Sequence, residues 1–463
     1  MDPKNLKKLI WLVVAIVVYF IIANVPISQD LEPQGQKALA LMVVAVIAWV
    51  AEILPIAISS LALVFMQVVI GTANAGGAVG NFATPTFLFV LSSFFLANAL
   101  LGSGLSKRLS LQLSVMSKGS PQRVLFYIML VASIASMVIS DVPVAAAFFP
   151  IGLSLIEKNN LALGKSNFAK SLLIGIPFAA LIGGVGTPAG SSLNVQALGL
   201  LESTTGMSIS FAKWAALGIP AALILTVLAW LILVFVYKPE IAKLQGLEDI
   251  NKELKELGPM SVNEKKWIGV MVLLIIVWLT ESVHHLPIPA TTTLGAALFF
   301  LPGFGFLDWK TQKVGWEVLL LIGSATSLGT TFYQSGAAEW LANLTLGGIQ
   351  GASPVMALAV VIIFTIVIHL LVPVNPAIVS IMVPTLAAFA TTAGINPLML
   401  IVPMAFTVSA AFLLPLDPVP LITYGAGHYT MGDFFKAGWL MSIAWAVVML
   451  ILMLILGGPL GMF

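Results

Sequence analysis

Residues 136–150 read SMVISDVPVAAAFFP, a run of apolar residues interrupted by an acid, Asp141, and a proline, Pro143. A helix in a soluble core avoids both. A membrane-spanning helix avoids the acid still more, because an Asp at the bilayer centre costs about 2.5–3.5 kcal/mol on insertion scales. The reading of this stretch depends on what surrounds it.

The surroundings are apolar throughout. The chain has 463 residues, of which 59% are hydrophobic and 9% charged; soluble domains carry about 25% charged residues, so a soluble globule is excluded. Apolar stretches at 9–25, 39–54, 268–279 with its flanks and 444–456 approach the roughly 20 residues that cross a bilayer as a helix. The chain reads as an all-α polytopic protein of the lipid bilayer, with about 11 transmembrane helices. The first stretch follows Lys4, Lys7 and Lys8 but is not followed by a small-residue cleavage pattern, so it is expected to stay as a helix rather than be removed as a signal. There is no cysteine and the four histidines are scattered, which excludes disulfides and thiolate metal sites. A net charge of +2 gives no reason to expect nucleic acid. No cofactor and no structural metal are expected.

Lysine and arginine set the orientation. If the N-terminus and the loops at 102–123, 157–170, 238–266, 308–315 and 425–437 share one side, 19 of the 21 basic residues lie there, leaving Lys37 and Lys213 opposite. That side is then cytoplasmic, in the plasma membrane, with the C-terminus outside. The assignment makes both ends of 121–157 cytoplasmic. The segment is therefore expected to enter and return as a re-entrant hairpin with Asp141 near its tip. Such backbone survives at depth only inside protein or along a water-filled cavity, so the aspartate does not face lipid.

The polar segment 238–266 divides the chain into two halves that echo each other. Trp49, Glu52 and Leu54-Pro55-Ile56 return as Trp278, Glu281 and Leu286-Pro287-Ile288; Ser103-Gly104 as Ser335-Gly336; Ser120-Pro121 as Ser353-Pro354; Pro177 as Pro403. The offsets run from 226 to 233 residues. By the charge map, 37–54 runs inward and its echo 267–284 outward, which makes the repeats inverted, the architecture of secondary transporters. The expected organisation is a first helix and outer loop (1–36), a repeat at 37–237 with a hairpin near 121–157 and a broken helix near 170–200, a cytoplasmic linker at 238–266, and a repeat at 267–463 with a hairpin near 354–388 and a broken helix near 396–425.

Each half carries two polar interruptions: Ser140-Asp141-Val142-Pro143 and the glycine-rich 183–194 in the first, Val374-Asn375-Pro376 and Leu414-Pro415-Leu416-Asp417-Pro418 in the second. A polar residue before proline, as in Thr187-Pro188, Asn375-Pro376 and Asp417-Pro418, is a helix-start signal. A helix beginning in mid-membrane presents free N–H groups and the positive end of its dipole, an anion site. No lysine or arginine lies in these breaks, which suits a small carboxylate that is released in each cycle.

At this point the chain resembles the divalent anion:sodium symporter family of dicarboxylate and citrate carriers, over nearly its full length. The resemblance implies a Ser-Asn-Thr motif at each hairpin tip, meeting substrate carboxylates and sodium, completed by the Gly-Ser region of each broken helix. Carried onto this sequence, the substrate residues are Ser140, Asp141, Val142, Gly190, Ser191, Asn194, Asn375, Pro376, Asp417 and Pro418. A cation or proton site falls on Ser136, Ser140, Asp141 and Gly190. The motifs depart from the family: only Ser140 and Asn375 keep their type, and Val374 and Leu370 stand where oxygens are wanted. These departures resemble the sodium-independent branch that exchanges dicarboxylates, such as the 2-oxoglutarate/malate translocators. Electroneutral exchange of succinate, malate, fumarate or 2-oxoglutarate is therefore the leading expectation and sodium coupling is doubtful; sodium- or proton-coupled symport is the alternative, and an arsenite-type carrier a further one. An elevator movement and a homodimer are implied by the resemblance alone.

Three roles stay open for the acids: capping a half-helix, carrying a proton, or holding a cation that accompanies substrate. Capping fits Asp417, next to Pro418, better than Asp141. His369 reads as hydrogen-bonded packing, Glu52 and Glu281 as partners of helix ends, and 238–266 as a solvated helix. No protease constellation is present apart from the two aspartates, and no enzyme activity is expected.

Overall fold

The computed structural model describes residues 3–245, 247–370, 372 and 374–463. Gly246 of the linker, and Leu371 and Pro373 of the second expected hairpin, lie outside the described residues. In chain order the helices are α1 (Pro3–Asn24), α2 (Pro33–Val50), α3 (Ile56–Val69), α4 (Ala75–Phe82), α5 (Pro85–Ser103), α6 (Leu105–Met116), α7 (Pro121–Ser136), α8 (Asp141–Lys158), α9 (Asn167–Gly184), α10 (Ser192–Thr205), α11 (Phe211–Val236), α12 (Leu247–Glu256), α13 (Val262–Leu279), α14 (Glu281–His284), α15 (Ile288–Leu298), α16 (Trp316–Gln334), α17 (Ala337–Leu346), α18 (Pro354–Ile368), α19 (Asn375–Ala393), α20 (Pro397–Thr407), α21 (Pro418–Tyr424) and α22 (Met431–Leu456). No strand occurs among the described residues.

Many of these helices begin where the sequence places proline after a break. Proline occupies the first turn of α2, α5, α7, α18, α19, α20 and α21, where its missing N–H costs no hydrogen bond. Among the described residues, seven helical spans are long and apolar enough to cross a membrane, one of them α4 and α5 together, and five further apolar helices have 10–17 residues. The expected count of about 11 spans therefore does not map onto single helices. At 1.5 Å per residue the shorter ones fall below the roughly 30 Å of hydrocarbon, because the breaks divide the apolar stretches.

Helix order and contacts recur along the chain. α5 and α16 both have 19 residues, α8 and α19 have 18 and 19, and α11 and α22 have 26 each. α16 packs on α3, and α5 packs on α15. Trp49 Nε1 donates to Ser60 Oγ at 3.2 Å, and Trp278 Nε1 donates to Thr291 Oγ1 at 3.2 Å. Close backbone approach is needed where α22 crosses the second broken segment: a Cβ on Gly438 would lie 1.8 Å from the Phe412 carbonyl oxygen.

The 238–266 segment departs from the solvated helix expected of it. Only α12 and the start of α13 are helical there, and the segment is fastened to neighbouring loops. Glu240 accepts from Ser166 Oγ and from the Phe168 N–H, Leu244 N–H donates to Gly119, and Gln245 N–H to Asn159 Oδ1. Lys107 pairs with Glu253 at 2.8 Å and Arg108 with Glu264 at 2.7 Å. Arg108 and Glu264 are buried, whereas Glu240 and Glu253 make these contacts while staying exposed to solvent.

Candidate functional site

Four irregular segments sit where the breaks were read. In the first half, 137–140 joins α7 to α8, and 185–191, with a short 3-10 turn at Pro188–Gly190, joins α9 to α10. In the second, the segment after α18 leads to α19, and 408–417 joins α20 to α21.

The first-half residues converge. Ser140 occupies the N-cap of α8 without a side-chain capping bond, and Asp141 is the first helical residue. Asp141 Oδ1 accepts from the Val142 N–H at 2.9 Å and from Ser140 Oγ at 3.1 Å; Oδ2 accepts from Ser191 Oγ at 3.3 Å. Ser191 is the N-cap of α10 and takes the Leu193 N–H at 3.4 Å. Gly190 allows three backbones to meet, since a Cβ there would fall 2.5 Å from both the Gly184 and Ser136 carbonyl oxygens. Ser136 spends its hydroxyl on the Ala180 carbonyl at 2.7 Å, so it offers its backbone oxygen rather than its side chain. Asn194 Nδ2 donates to the Gly184 and Thr187 carbonyls at 2.8 and 2.9 Å, which fixes the amide, and its buried Oδ1 has no partner. Asp141 is 6% exposed, and it takes part in none of the ion pairs among the described residues.

A cavity of about 140 Å³ opens beside this cluster, lined by Ser140, Val142 and Pro143 at the start of α8, Ala189 and Ser192 at the start of α10, and one face of α5. No charged side chain lines it. It is far smaller than the roughly 300–1,000 Å³ of a drug-sized pocket. The N-termini of α8, α10 and α16 open onto it, the last through Gly315 and Val318, each carrying about half a positive charge. A larger cavity of about 540 Å³ reaches Pro188 from the side of Glu202, Glu281 and His285. Phe89 of α5 lines both cavities.

The second-half residues form a cluster of their own. Asp417 is the N-cap of α21: Oδ1 accepts from the Val419 N–H at 2.9 Å, and Oδ2 accepts from Asn375 Nδ2 at 2.7 Å. With His369 they line a cavity of about 20 Å³. Pro376 contributes its carbonyl, whereas Pro418 is exposed and borders none of these cavities. None of these cavities is lined by both tips. Gln196, which sequence reasoning missed, spans the two clusters from α10: Nε2 donates to the Pro376 carbonyl at 3.0 Å and to Ser380 Oγ at 3.1 Å. A lone amide inside the apolar run 195–201 was the available signal, because a buried amide needs partners.

Residues 6–463 match the family model described as the sodium:sulfate symporter transmembrane region. The chain belongs to this family. Among its relatives, the sodium-dependent dicarboxylate transporter SdcS of Staphylococcus saprophyticus is 27% identical over 98% of this chain and 92% of its own. The transporter of the same name from Staphylococcus aureus strain USA300 is 28% identical over 91% and 86%. A membrane protein of Cupriavidus necator is 26% identical over 94% and 90%. Two solved transporters share the fold at 12% identity: MtrF of Neisseria gonorrhoeae, with a TM-score of 0.58 over 97% of this chain and 95% of that one, and YdaH of Alcanivorax borkumensis, with 0.56 over 99% and 100%. Family membership makes this a multi-pass membrane protein. The names of the relatives oppose the expectation that sodium is dispensable.

Proposed function

We propose that the chain is a cation-coupled symporter of small dicarboxylates, working between two inverted repeats at 37–237 and 267–463. One observation carries the reading: the N-termini of α8 and α10 face a single uncharged cavity beside a buried carboxylate that has no basic partner. The free N–H groups of these two helix starts and the hydroxyl of Ser192 receive a substrate carboxylate, and Ser140 joins them when its hydroxyl turns from Asp141. Asp141, the unpaired Asn194 Oδ1 and the carbonyls around Gly184 and Gly190 supply the oxygens a hard cation takes. Relatives named as sodium-dependent dicarboxylate transporters favour sodium as that cation and favour symport over the exchange reading. The site-bearing helices moving as an elevator, pairing of two copies, and a plasma-membrane location with the N-terminus cytoplasmic and the C-terminus outside complete the proposal.

The test is uptake of labelled succinate and 2-oxoglutarate into proteoliposomes, with and without internal dicarboxylate and with and without a sodium gradient. Sodium-driven accumulation in empty vesicles is expected. Uptake that requires internal dicarboxylate and ignores sodium would return the chain to the exchanger branch.

A further inference from the structure

The second cluster holds groups that a sodium-coupled dicarboxylate carrier does not need. Asp417 is 8% exposed, and its two oxygens take hydrogens from Val419 and Asn375, with no lysine or arginine in an ion pair with it among the described residues. His369, at the end of α18, directs Nε2 at the Val408 carbonyl at 2.8 Å. A carbonyl only accepts, so Nε2 carries the hydrogen and Nδ1 is a bare lone pair in the neutral ring. That Nδ1 is buried and has no hydrogen-bond partner, and the ring is further flanked by the carbonyls of Thr365 and Ile366. His369, Asn375 and Asp417 line one cavity of about 20 Å³. A water needs roughly 10–15 Å³, so the space takes one water and excludes an organic acid.

Charge counting gives this arrangement a purpose. A dicarboxylate brings two negative charges, and Asp141 and Asp417 bring two more. Helix N-termini, at about half a charge each, offset no more than the substrate. One cation at Asp141 then leaves Asp417 uncompensated. The elements around the second cluster do not supply the missing charge: α18, α19 and α20 contain no charged residue. Of the elements packed on α21, α9 carries Lys170, already paired with Asp433 of α22 at 2.9 Å, and α8 carries Glu157 and Lys158 at its far end. α8 also begins with Asp141, of the same sign as Asp417.

Resting on the transport reading above, we infer that His369 and Asp417 form a proton site, so that each dicarboxylate crosses with one proton as well as the cation at Asp141. The proton comes from water on one side, sits on His369 Nδ1 or, across the single water, on the Asp417 carboxylate, and leaves to water on the other side. An imidazolium here is surrounded by backbone carbonyls and faces Asp417, so protonation satisfies the one ring atom that lacks a partner.

The experiment measures labelled succinate uptake and internal acidification together, with a trapped pH-sensitive dye, at a pH where succinate is a dianion and under a fixed sodium gradient. The wild type is expected to admit about one proton per succinate, and His369→Gln at least about tenfold fewer per succinate. Folding of the variant is read from succinate counterflow between loaded vesicles, which needs no net proton movement. A variant that exchanges without acidifying supports the site. An unchanged ratio in His369→Gln, as when succinate brings its own proton or Asp417 holds it without the histidine, overturns the paired site. Sodium-driven wild-type uptake without acidification also overturns it while leaving dicarboxylate symport intact. Failure of the wild type to take up any dicarboxylate removes the transport reading and this site together.

Discussion

The amide of Gln196 on α10 donates to the carbonyl of Pro376 at the start of α19, at 3.0 Å across 180 residues of sequence. It also donates to Ser380 Oγ at 3.1 Å, while Ser380 itself donates to the Pro376 carbonyl at 2.7 Å. Both targets therefore accept, the amide cannot be flipped, and Oε1 is left buried without a partner. This strut joins the helix that follows the 185–191 break in the first half to the helix that starts at Asn375 in the second. Replacing Gln196 by Leu removes two donations together with the unpaired oxygen, for a net loss of about 1 kcal/mol. The expected outcome is a slightly lower melting temperature in detergent with a KM for succinate raised several-fold. A KM equal to wild type would mean the clusters do not communicate through α10.

Ser191 and Asn375 serve one cluster each. Ser191→Ala deprives Asp141 Oδ2 of its hydroxyl, and Asn375→Ala deprives Asp417 Oδ2 of its amide. A buried polar group left unpaired costs about 1–3 kcal/mol, which corresponds to a roughly tenfold or larger rise in KM for either variant. Uptake kinetics decide it, and unchanged values in both would remove these breaks from the site.

Asp141→Asn keeps the shape of the tip and removes its charge. Sodium dependence should flatten, with uptake no longer rising with external sodium, while counterflow of substrate survives in part. If instead sodium activation keeps its midpoint and steepness, the carboxylate is only a structural partner of Ser140, Val142 and Ser191.

The pair Arg108–Glu264 is a separate test of the linker. Arg108 is 7% exposed and Glu264 3%, and Arg108 also donates to the carbonyls of Gly258 and Pro259 at 2.9 and 3.1 Å. Removing one member of a buried pair costs about 3–5 kcal/mol. Arg108→Met should therefore lower thermal stability far more than Lys107→Met, whose partner Glu253 is exposed. Similar melting temperatures for the two variants would show that the linker does not hold the bundle.

Orientation can be read directly because the chain has no cysteine. Single substitutions His285→Cys and Ser208→Cys should react with an impermeant maleimide on intact cells, and Lys118→Cys and Lys165→Cys only after permeabilisation. The reverse pattern would invert the charge map.

What could be read from the sequence followed how local each cause was. Asp417 before Pro418 announces a helix start because the capping oxygen and the N–H it accepts are two residues apart. The breaks at Asp141 and Ser191 are legible for the same reason, since each takes an N–H one or two residues ahead. Gln196 was not, since its partners lie in the other half and nothing beside it hints at them. The packing of Glu240 on Ser166 and Phe168 was hidden behind a composition that reads as solvated. The division of the site into two cavities was also invisible: residue types name the groups that bind, while the space between them depends on how α5, α8 and α10 pack.

Phe89 borders the large cavity on the side of Glu281 and His285 and also the small one at Ser140, which faces Gly315. The charge map assigns Glu281 and Gly315 to loops on opposite sides. Phe89 is then the side chain that the two cavities share. A smaller side chain at position 89 is expected to join them, which would be read as ion leak through proteoliposomes in the absence of substrate.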